Sequence, residues 1–407
     1  MASEEFTAAF CGWKDHDFGT VGHPNEDHSV VWVELIPDAD RVLICSGCGE
    51  VAEGVHDVTE RWIRDLPMFD ARTHLLVHRC RVRCPKCGPK LEALDWLCPY
   101  ARVTKRLAES VARLCRILPI KHVAEFFDLG WDAVKAIDKA HLTRTLGEAD
   151  LDGLEQIAMD EIAIHKGHRY ATVVVEPETR RVLWVGHGRG RENVRTFYQL
   201  LGSERCAKLK AIAMDMNPGY VEEARAQCPG AQIVFDLFHV VAKYGHDVVD
   251  RVRVDAANAV KHDKPARKLI KGSRWLLLRN AENIEKEEDR VKLSELLAAN
   301  RSLMKAYVLK DDLKRLWQYR HIGYATRAWQ SWFRRATCSR VDAIKSFARK
   351  LKEHLPGILS HCYYPLNTSV LEGINNKIKV IKRMAYGYRD DAYFFLKIRQ
   401  AFPGKPG

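Results

Sequence analysis

Four acidic side chains and one histidine, far apart in the chain, sit in surroundings that suit chemistry. Asp160 closes the apolar run Gln156-Ile157-Ala158-Met159-Asp160. Asp215 closes Leu209-Lys210-Ala211-Ile212-Ala213-Met214-Asp215, and Asp236 closes Ala231-Gln232-Ile233-Val234-Phe235-Asp236, with His239 three residues on. A carboxylate at the end of a buried strand is costly unless it is paired or binds a cation. Massed carboxylates also raise one another's pKa unless positive charge lies among them. A few hard oxygen ligands suit Mg²⁺ or Mn²⁺, and Mg²⁺ keeps several of its own waters. Two such ions about 3.5–4 Å apart can neutralise both the attacking and the leaving oxygen of a phosphodiester. Asp160 and Asp215 would share one ion from neighbouring strands. Glu372, from a distant helix, would complete the second site, and His239 would orient a water or a phosphate.

Glu372 begins a helical stripe. Asn367-Thr368-Ser369 can cap a helix running to about Arg383, on which Glu372, Asn375, Asn376, Lys379 and Arg383 fall at offsets 0, +3, +4, +7 and +11. Those offsets share one face. An acid, two amides and two cations make a poor core face and a good surface for phosphates. Asn375, Asn376, Lys379 and Arg383 are therefore expected DNA contacts.

The cysteines carry different chemistry. Cys45-Ser46-Gly47-Cys48-Gly49 and Cys84-Pro85-Lys86-Cys87-Gly88 are two CxxCG knuckles. Each tight turn directs two thiolates at one tetrahedral ion, and its Gly permits the positive φ the turn needs. Cys45, Cys48, Cys84 and Cys87 predict a zinc ribbon with a structural Zn²⁺, since four thiolates leave no open coordination position. Cys80 belongs to no such pair and is read as a bystander.

The elements that position these groups follow in order. Ser29–Ile36 reads as one strand, and Leu75–Arg83 as the strand leading into the second knuckle. Residues 101–118 read as a helix, Ile120–Phe127 as a second, and Trp131–Leu142 as a third after the turn Asp128-Leu129-Gly130. Short helix, Gly turn, longer helix is the helix-turn-helix pattern, whose second helix enters a major groove. Asp132, Lys135, Ala136 and Lys139 would face outward, making Lys135 and Lys139 expected DNA contacts. Residues 156–186 read as three antiparallel strands; helices and strands then alternate through Asp236. That is the order of the ribonuclease H-like fold. From about Val240 to Leu359 the pattern is helical and highly charged, an all-helical insertion whose Trp317, Trp329, Trp332 and Phe333 suit its core better than a surface that stacks on bases.

Composition agrees with a polyanion as partner. The net charge is +12, yet residues 1–70 are strongly acidic, so the remainder carries more than the whole excess. Residues 72–116 alone hold 11 Lys and Arg against 3 Asp and Glu, a balance that suits nucleic acid. No apolar run is long enough to span a membrane, and the N-terminus lacks the basic start and apolar core of a signal peptide. A cytoplasmic, nucleoid-associated protein is the expectation, with its 12 cysteines reduced or metal-bound.

Taken together, these motifs resemble the DDE transposases of bacterial insertion sequences, specifically the ISL-three family. The matching stretches are Met159-Asp160-Glu161 with Lys166–Tyr170, Asp215–Tyr220, Phe235–Val241, and Asn367–Arg383 with Ala385–Arg389. The family's zinc ribbon matches the four cysteines, and its helix-turn-helix matches residues 102–143. The resemblance implies a catalytic triad of Asp160, Asp215 and Glu372 holding Mg²⁺ or Mn²⁺, with Asp236 and His239 in support. It implies cleavage and strand transfer on double-stranded DNA, at inverted-repeat ends and at a target, by at least a homodimer. The rival readings are a DNA-binding regulator with an inactive core and a structure-selective nuclease.

The expected architecture is a multidomain α+β chain. It has an N-terminal segment of no assigned role (1–40), a zinc ribbon (41–98) and a helix-turn-helix domain (99–150). A ribonuclease H-like α/β core follows (151–240), interrupted by the helical insertion (241–359) and completed by the Glu372 helix (360–407).

Overall fold

The computed structural model describes residues 12–404 apart from 166, 168, 280, 367 and 368. Cys11, Lys166, His168 and the proposed cap at Asn367-Thr368 lie outside the described residues. The chain forms two units, each discontinuous in sequence: residues 1–147 with 382–396, and residues 148–381 with 397–407.

The first unit is built on a five-stranded sheet, β1 (His16–Gly22), β2 (Val30–Pro37), β3 (Gly54–Met68), β4 (Ala71–Cys84) and β5 (Gly88–Leu91). The order is β1-β2-β4-β3, with β5 also on β4; β2 and β4 run parallel, and the other pairs are antiparallel. In β4 the residues Thr73, Leu75 and Val77 are buried and their neighbours are not, the period-2 pattern of a sheet with one covered face. Trp13, Val33, Leu35, Ile63, Leu75, Val77 and Leu97 form the core beneath it. The acidic N-terminal stretch, to which no role was assigned, thus supplies two strands of this sheet. The long strand β3 was not expected. Of its residues only Ile63 and Asp65 are buried, so its sequence lacks the alternation that marks a strand, and its partner β4 supplies the regularity.

Three helices follow, α1 (Lys105–Leu114), α2 (Ile120–Phe127) and α3 (Trp131–Leu146). Thr104 caps α1 by accepting a hydrogen bond from the Leu107 amide at 3.3 Å. Pro119 precedes α2, and Asp128 ends it in the left-handed conformation at φ 48°. Leu107, Val111, Val123, Phe127 and Val134 close the three-helix core. Asp65 of β3, fully buried, binds these layers together. Its carboxylate accepts from Trp13 Nε1 at 2.8 Å, Thr104 Oγ1 at 2.6 Å and Arg106 Nε at 2.7 Å. Residues 382–396 complete the unit.

The second unit holds the other five-stranded sheet: β6 (Gln156–His165), β7 (Arg169–Glu176), β8 (Arg181–His187), β9 (Ala211–Met214) and β10 (Gln232–Phe235). Its order is β10-β9-β6-β7-β8. β6, β7 and β8 form an antiparallel meander, while β9 and β10 lie parallel to β6 on its other side. Helices α4 (Arg191–Leu201) and α5 (Ser203–Lys208) connect β8 to β9; α6 (Pro218–Gln227) connects β9 to β10. The parallel pairs require such crossovers. From α7 (Leu237–Tyr244) to α15 (Leu355–Leu359) the described residues are helical or in short connections. Trp329 and Trp332 are fully buried there, with Phe333 nearly so. Trp332 satisfies its indole N–H on the Leu309 carbonyl at 3.0 Å. The sheet and the helical insertion share one continuous apolar core. Helices α16 (Ser369–Met384) and α17 (Asp391–Ala401) end the chain.

One buried acid outside the motifs anchors this unit. Glu223 on α6 has no exposed surface and accepts from Arg191 Nε at 2.8 Å, Arg195 Nε at 2.9 Å and Gln227 Nε2 at 2.8 Å. The Arg195 guanidinium, with Arg191 and Gln227 adding, lowers its carboxyl from 4.5 to about 2. A folded-state pKa below the unfolded one contributes stability above the unfolded value, lost as pH falls through the folded one. Glu223→Gln is therefore expected to flatten the loss of stability between about pH 4.5 and 2. At neutral pH it should cost about 1–3 kcal/mol, because both arginines are partly exposed and can hydrate. Thermal melts of the two proteins across that pH range check this.

Candidate active site and metal centre

The site in the second unit begins with the register of its central strands. β6 and β9 pair at Gln156↔Ala211, Ile157↔Ile212 and Ala158↔Ala213. Asp160 and Asp215 each lie two residues beyond the last of these pairs. Strands lie about 4.8 Å apart and side chains alternate between faces, so the two carboxylates come from adjacent strands at one level. Asp160 does not end its strand as expected. β6 continues to His165, with Asp160 opposite Val173 of β7; the described pairing with β9 stops at Ala158. That frees one side of β6 at Asp160, and β7 sustains the strand on the other. Asp215 does follow the end of β9, and its Oδ1 accepts from the Asn217 amide at 2.9 Å. Asn217 then caps α6, with Pro218 in its first turn.

Asp160 is 8% exposed. Its Oδ1 accepts from the Glu161 amide at 2.8 Å and its Oδ2 from Asn375 Nδ2 at 2.6 Å. That second bond brings helix α16, and with it Glu372 one turn earlier, to the sheet. Asp236 follows β10 and caps α7, accepting from the Phe238 amide at 2.7 Å. His239 Nε2 lies 3.6 Å from Asp160 Oδ1 and 3.7 Å from Asp236 Oδ2. The Asp160 carboxylate, with Asp236 and Asp215 adding, raises this imidazole from 6.5 to about 9 against the effect of burial. Asp215 is raised too, first by burial, with the Asp160 and Glu161 charges adding. Carboxylates that shift upward for these reasons are ones a cation would relieve.

The stripe on α16 is placed in part as expected. Glu372, Asn376, Lys379 and Arg383 are exposed, whereas Asn375 is 9% exposed and bound to Asp160. Sequence offsets assign residues to a face but not to the neighbour that face meets, and Asn375 meets the sheet. A similar difference occurs on α3. Asp132 and Ala136 are exposed, but Lys135 and Lys139 turn onto Asp390, with Nζ–Oδ2 distances of 3.1 and 2.9 Å. Tyr393 donates to the buried Asp138 on the same helix. Asp390, about 250 residues away, is a partner that no local pattern signals.

The cysteine centre is compact. The sulfurs of Cys45, Cys48, Cys84 and Cys87 all lie within 4.8 Å of one another, the one such cluster among the described residues. Cys48 and Cys84 sulfurs are 3.5 Å apart. Gly49 and Gly88, closing the two knuckles, take φ of +78° and +68°, a conformation that side chains resist. The amide N–H of Cys48, with that of Gly47, lowers the Cys45 thiol to about 7, while its sulfur neighbours, Cys48 foremost, push Cys87 to about 12. Four thiol ligands converging at this spacing fit a tetrahedral soft-donor site. Cys80 stands outside it, its sulfur 3.1 Å from Arg41 Nη2. The three acids do not form so tight a group in the structure as it stands.

The sequence profile of a transposase domain carrying the DDE signature of the ISL3 family matches residues 157–398. The chain belongs to the ISL3 transposase family. A helix-turn-helix domain of the same family matches residues 92–142, and the zinc finger of the transposases of IS204, IS1001, IS1096 and IS1165 matches residues 41–87. A transposase for insertion sequence element IS1001 of Bordetella parapertussis is 50% identical over 405 residues, covering 99% of both chains. Transposases for IS1557 from two strains of Mycobacterium tuberculosis are 28% identical over 388 residues, 89% of this chain and 86% of theirs. The chain is thus an insertion-sequence transposase with a helix-turn-helix DNA-binding domain and a DDE transposase domain. No helix among the described residues is long and apolar enough to cross a membrane.

One cation beside the transposase's acids escaped the sequence reading. Arg189, at the end of β8, donates to both Glu161 oxygens at 3.0 and 3.2 Å and stacks over Tyr170 at 4.1 Å. Its carbonyl accepts from Asn217. It is bonded to the neighbours of both Asp160 and Asp215. The signal available was the glycine-flanked triplet Gly188-Arg189-Gly190 after an apolar strand, which by itself reads as a loop.

Proposed function

We propose that this transposase binds the terminal inverted repeats of its element, cuts DNA there with divalent cations, and joins the exposed 3′-hydroxyls to target DNA. The observation that carries the reading is the convergence on Asp160. Asp215 sits at the same level on the adjacent strand, and α16, bearing Glu372, is tied to Asp160 through Asn375. The sheet order supports a ribonuclease H-like core: three antiparallel strands in sequence, then two strands added parallel to the first.

Asp160, Asp215 and Glu372 would hold Mg²⁺ or Mn²⁺, whose hard-oxygen preference their carboxylates meet. Bound there, the ions would activate water and stabilise the charge on the leaving 3′-oxygen. The protein's own residues do the rest. Asn375 and the Glu161 amide orient Asp160, and the Asn217 amide orients Asp215. Asp236 fixes the start of α7, so that His239 presents its ring between the Asp160 and Asp236 carboxylates. The exposed Asn376, Lys379 and Arg383, together with Arg189, would hold backbone phosphates. On α3 the exposed Asp132 and Ala136 would meet the groove. Lys135 and Lys139 would reach phosphate only by leaving Asp390. The four cysteines would hold a structural Zn²⁺. Two ends must be cut in concert, so a homodimer or larger assembly on DNA is expected, in the bacterial cytoplasm at the nucleoid.

The test uses purified full-length protein with Mg²⁺ and labelled DNA carrying the element's inverted repeats. End-specific nicking and joining to a plasmid are expected. Sequence-specific binding without nicking would instead favour a regulator; cutting of branched DNA regardless of end sequence would favour a structure-selective nuclease.

A further inference from the structure

Asn375 is nine-tenths buried within a stripe whose other polar members are exposed. Its amide nitrogen donates to Asp160 Oδ2 at 2.6 Å. Its amide oxygen is buried and has no hydrogen-bond partner among the described residues. An ordinary core asparagine satisfies both ends of its amide. Flipping the amide would set its oxygen against a carboxylate oxygen, two acceptors face to face. The nitrogen therefore stays on Asp160, and the unused acceptor lies one amide's width from the carboxylate.

We infer that Asn375 positions the divalent cation held by Asp160: its nitrogen fixes the orientation of the carboxylate, and its oxygen accepts a hydrogen bond from a water on the ion. The inference rests on Asp160 being a cation ligand, as proposed above. Mg²⁺ and Mn²⁺ retain bound water, every molecule of it a hydrogen-bond donor. Groups that orient a ligand in this way change metal affinity by about 10–100-fold when removed. Asn375 is then a positioning residue for the ion and makes no contact with DNA. The neighbouring Asn376, exposed and with its amide oxygen accepting from Lys379 Nζ at 3.4 Å, serves as the comparison.

The test titrates Mn²⁺ into zinc-loaded, full-length protein and follows the free ion by electron paramagnetic resonance. Asn375→Leu, similar in size but without polar atoms, should weaken binding about 10–100-fold, and Asn376→Leu should leave it unchanged. Asn375→Asp replaces the donor with a second carboxylate beside Asp160. It should melt lower than wild type without Mn²⁺ and show a larger rise in Tm with it, because a cation relieves two adjacent carboxylates. If Asp160→Asn binds Mn²⁺ as wild type does, the cation role of Asp160 fails, and this inference with it. If Asp160→Asn loses binding while both Asn375 variants match wild type in affinity and in Tm rise, the role of Asn375 alone is overturned. Should Asn375→Leu fail to fold, the smaller Asn375→Ala, which also removes both ends of the amide, decides by the same Mn²⁺ titration.

Discussion

Glu372→Gln should lower the rate of DNA end cleavage by about 10³-fold or more, and so should Asp160→Asn or Asp215→Asn. A metal-ion contact to a phosphoryl oxygen stabilises the transition state by several kcal/mol, and each 1.36 kcal/mol is a factor of ten in rate. The substituted amides keep the shape of each side chain. They remove the charge that would hold a cation. Glu372 is the most instructive of the three because it is exposed on α16, so its loss should leave the core intact. End binding, measured by gel shift without divalent ions, should stay within a few-fold of wild type, since the helix-turn-helix and the cysteine centre belong to the other unit. Cleavage within tenfold of wild type in all three variants would reject the triad.

Removal of zinc should have a comparably large effect on a different property. Structural zinc contributes roughly 10–16 kcal/mol of apparent binding energy, against a total stability of about 5–15 kcal/mol for a typical domain. Without such an ion the knuckles at Cys45–Gly49 and Cys84–Gly88 would lose their central link and keep peripheral ones, such as the Ser46 amide on the Leu91 carbonyl and the Lys86–Glu50 pair, while β5 is only four residues long. Chelation or Cys84→Ser is expected to reduce affinity for the inverted repeat towards the nonspecific level, by roughly 10³-fold. Acid should act in the same direction, because thiolates must be deprotonated to bind. The measurements are zinc released per chain on thiol modification and gel-shift affinity before and after. A chain with all four cysteines replaced by serine that melts and binds ends as the parent does would exclude a structural metal.

The parts of this molecule that could be read from its sequence are those whose causes are local. A CxxCG knuckle carries its whole geometry in five residues, and the structure gathers both knuckles into one cluster. The apolar runs before Asp215 and Asp236 announce β9 and β10; β9 is buried on both faces and needs no alternation, and β10 is apolar from Ile233 to Phe235. The second helix was legible to the residue, with Pro119 and the turn at Asp128 marking its limits. What was missed depends on partners distant in sequence. The mostly exposed strand β3 exists because β4 lies beside it. Asp160 falls within a strand rather than at its end because β7 continues where β9 stops. Lys135 and Lys139 have the spacing of an outward basic face, yet Asp390 claims both. Asn375 has the spacing of a surface amide and is buried on Asp160. Helical periodicity fixes the face of a residue; the fold decides what that face touches.

The division of each unit into separate stretches of sequence has a consequence for biosynthesis. Residues 1–147 leave the ribosome long before residues 382–396, which supply Asp390 and Tyr393 to α3. At about 5–20 residues per second, the nascent helix-turn-helix waits on the order of ten seconds or more for its last pieces. A product of premature termination or frameshift before residue 382 would emerge with Asp138 uncovered and both lysines released. Synthesis through residue 396 is therefore what completes the unit that carries the helix-turn-helix.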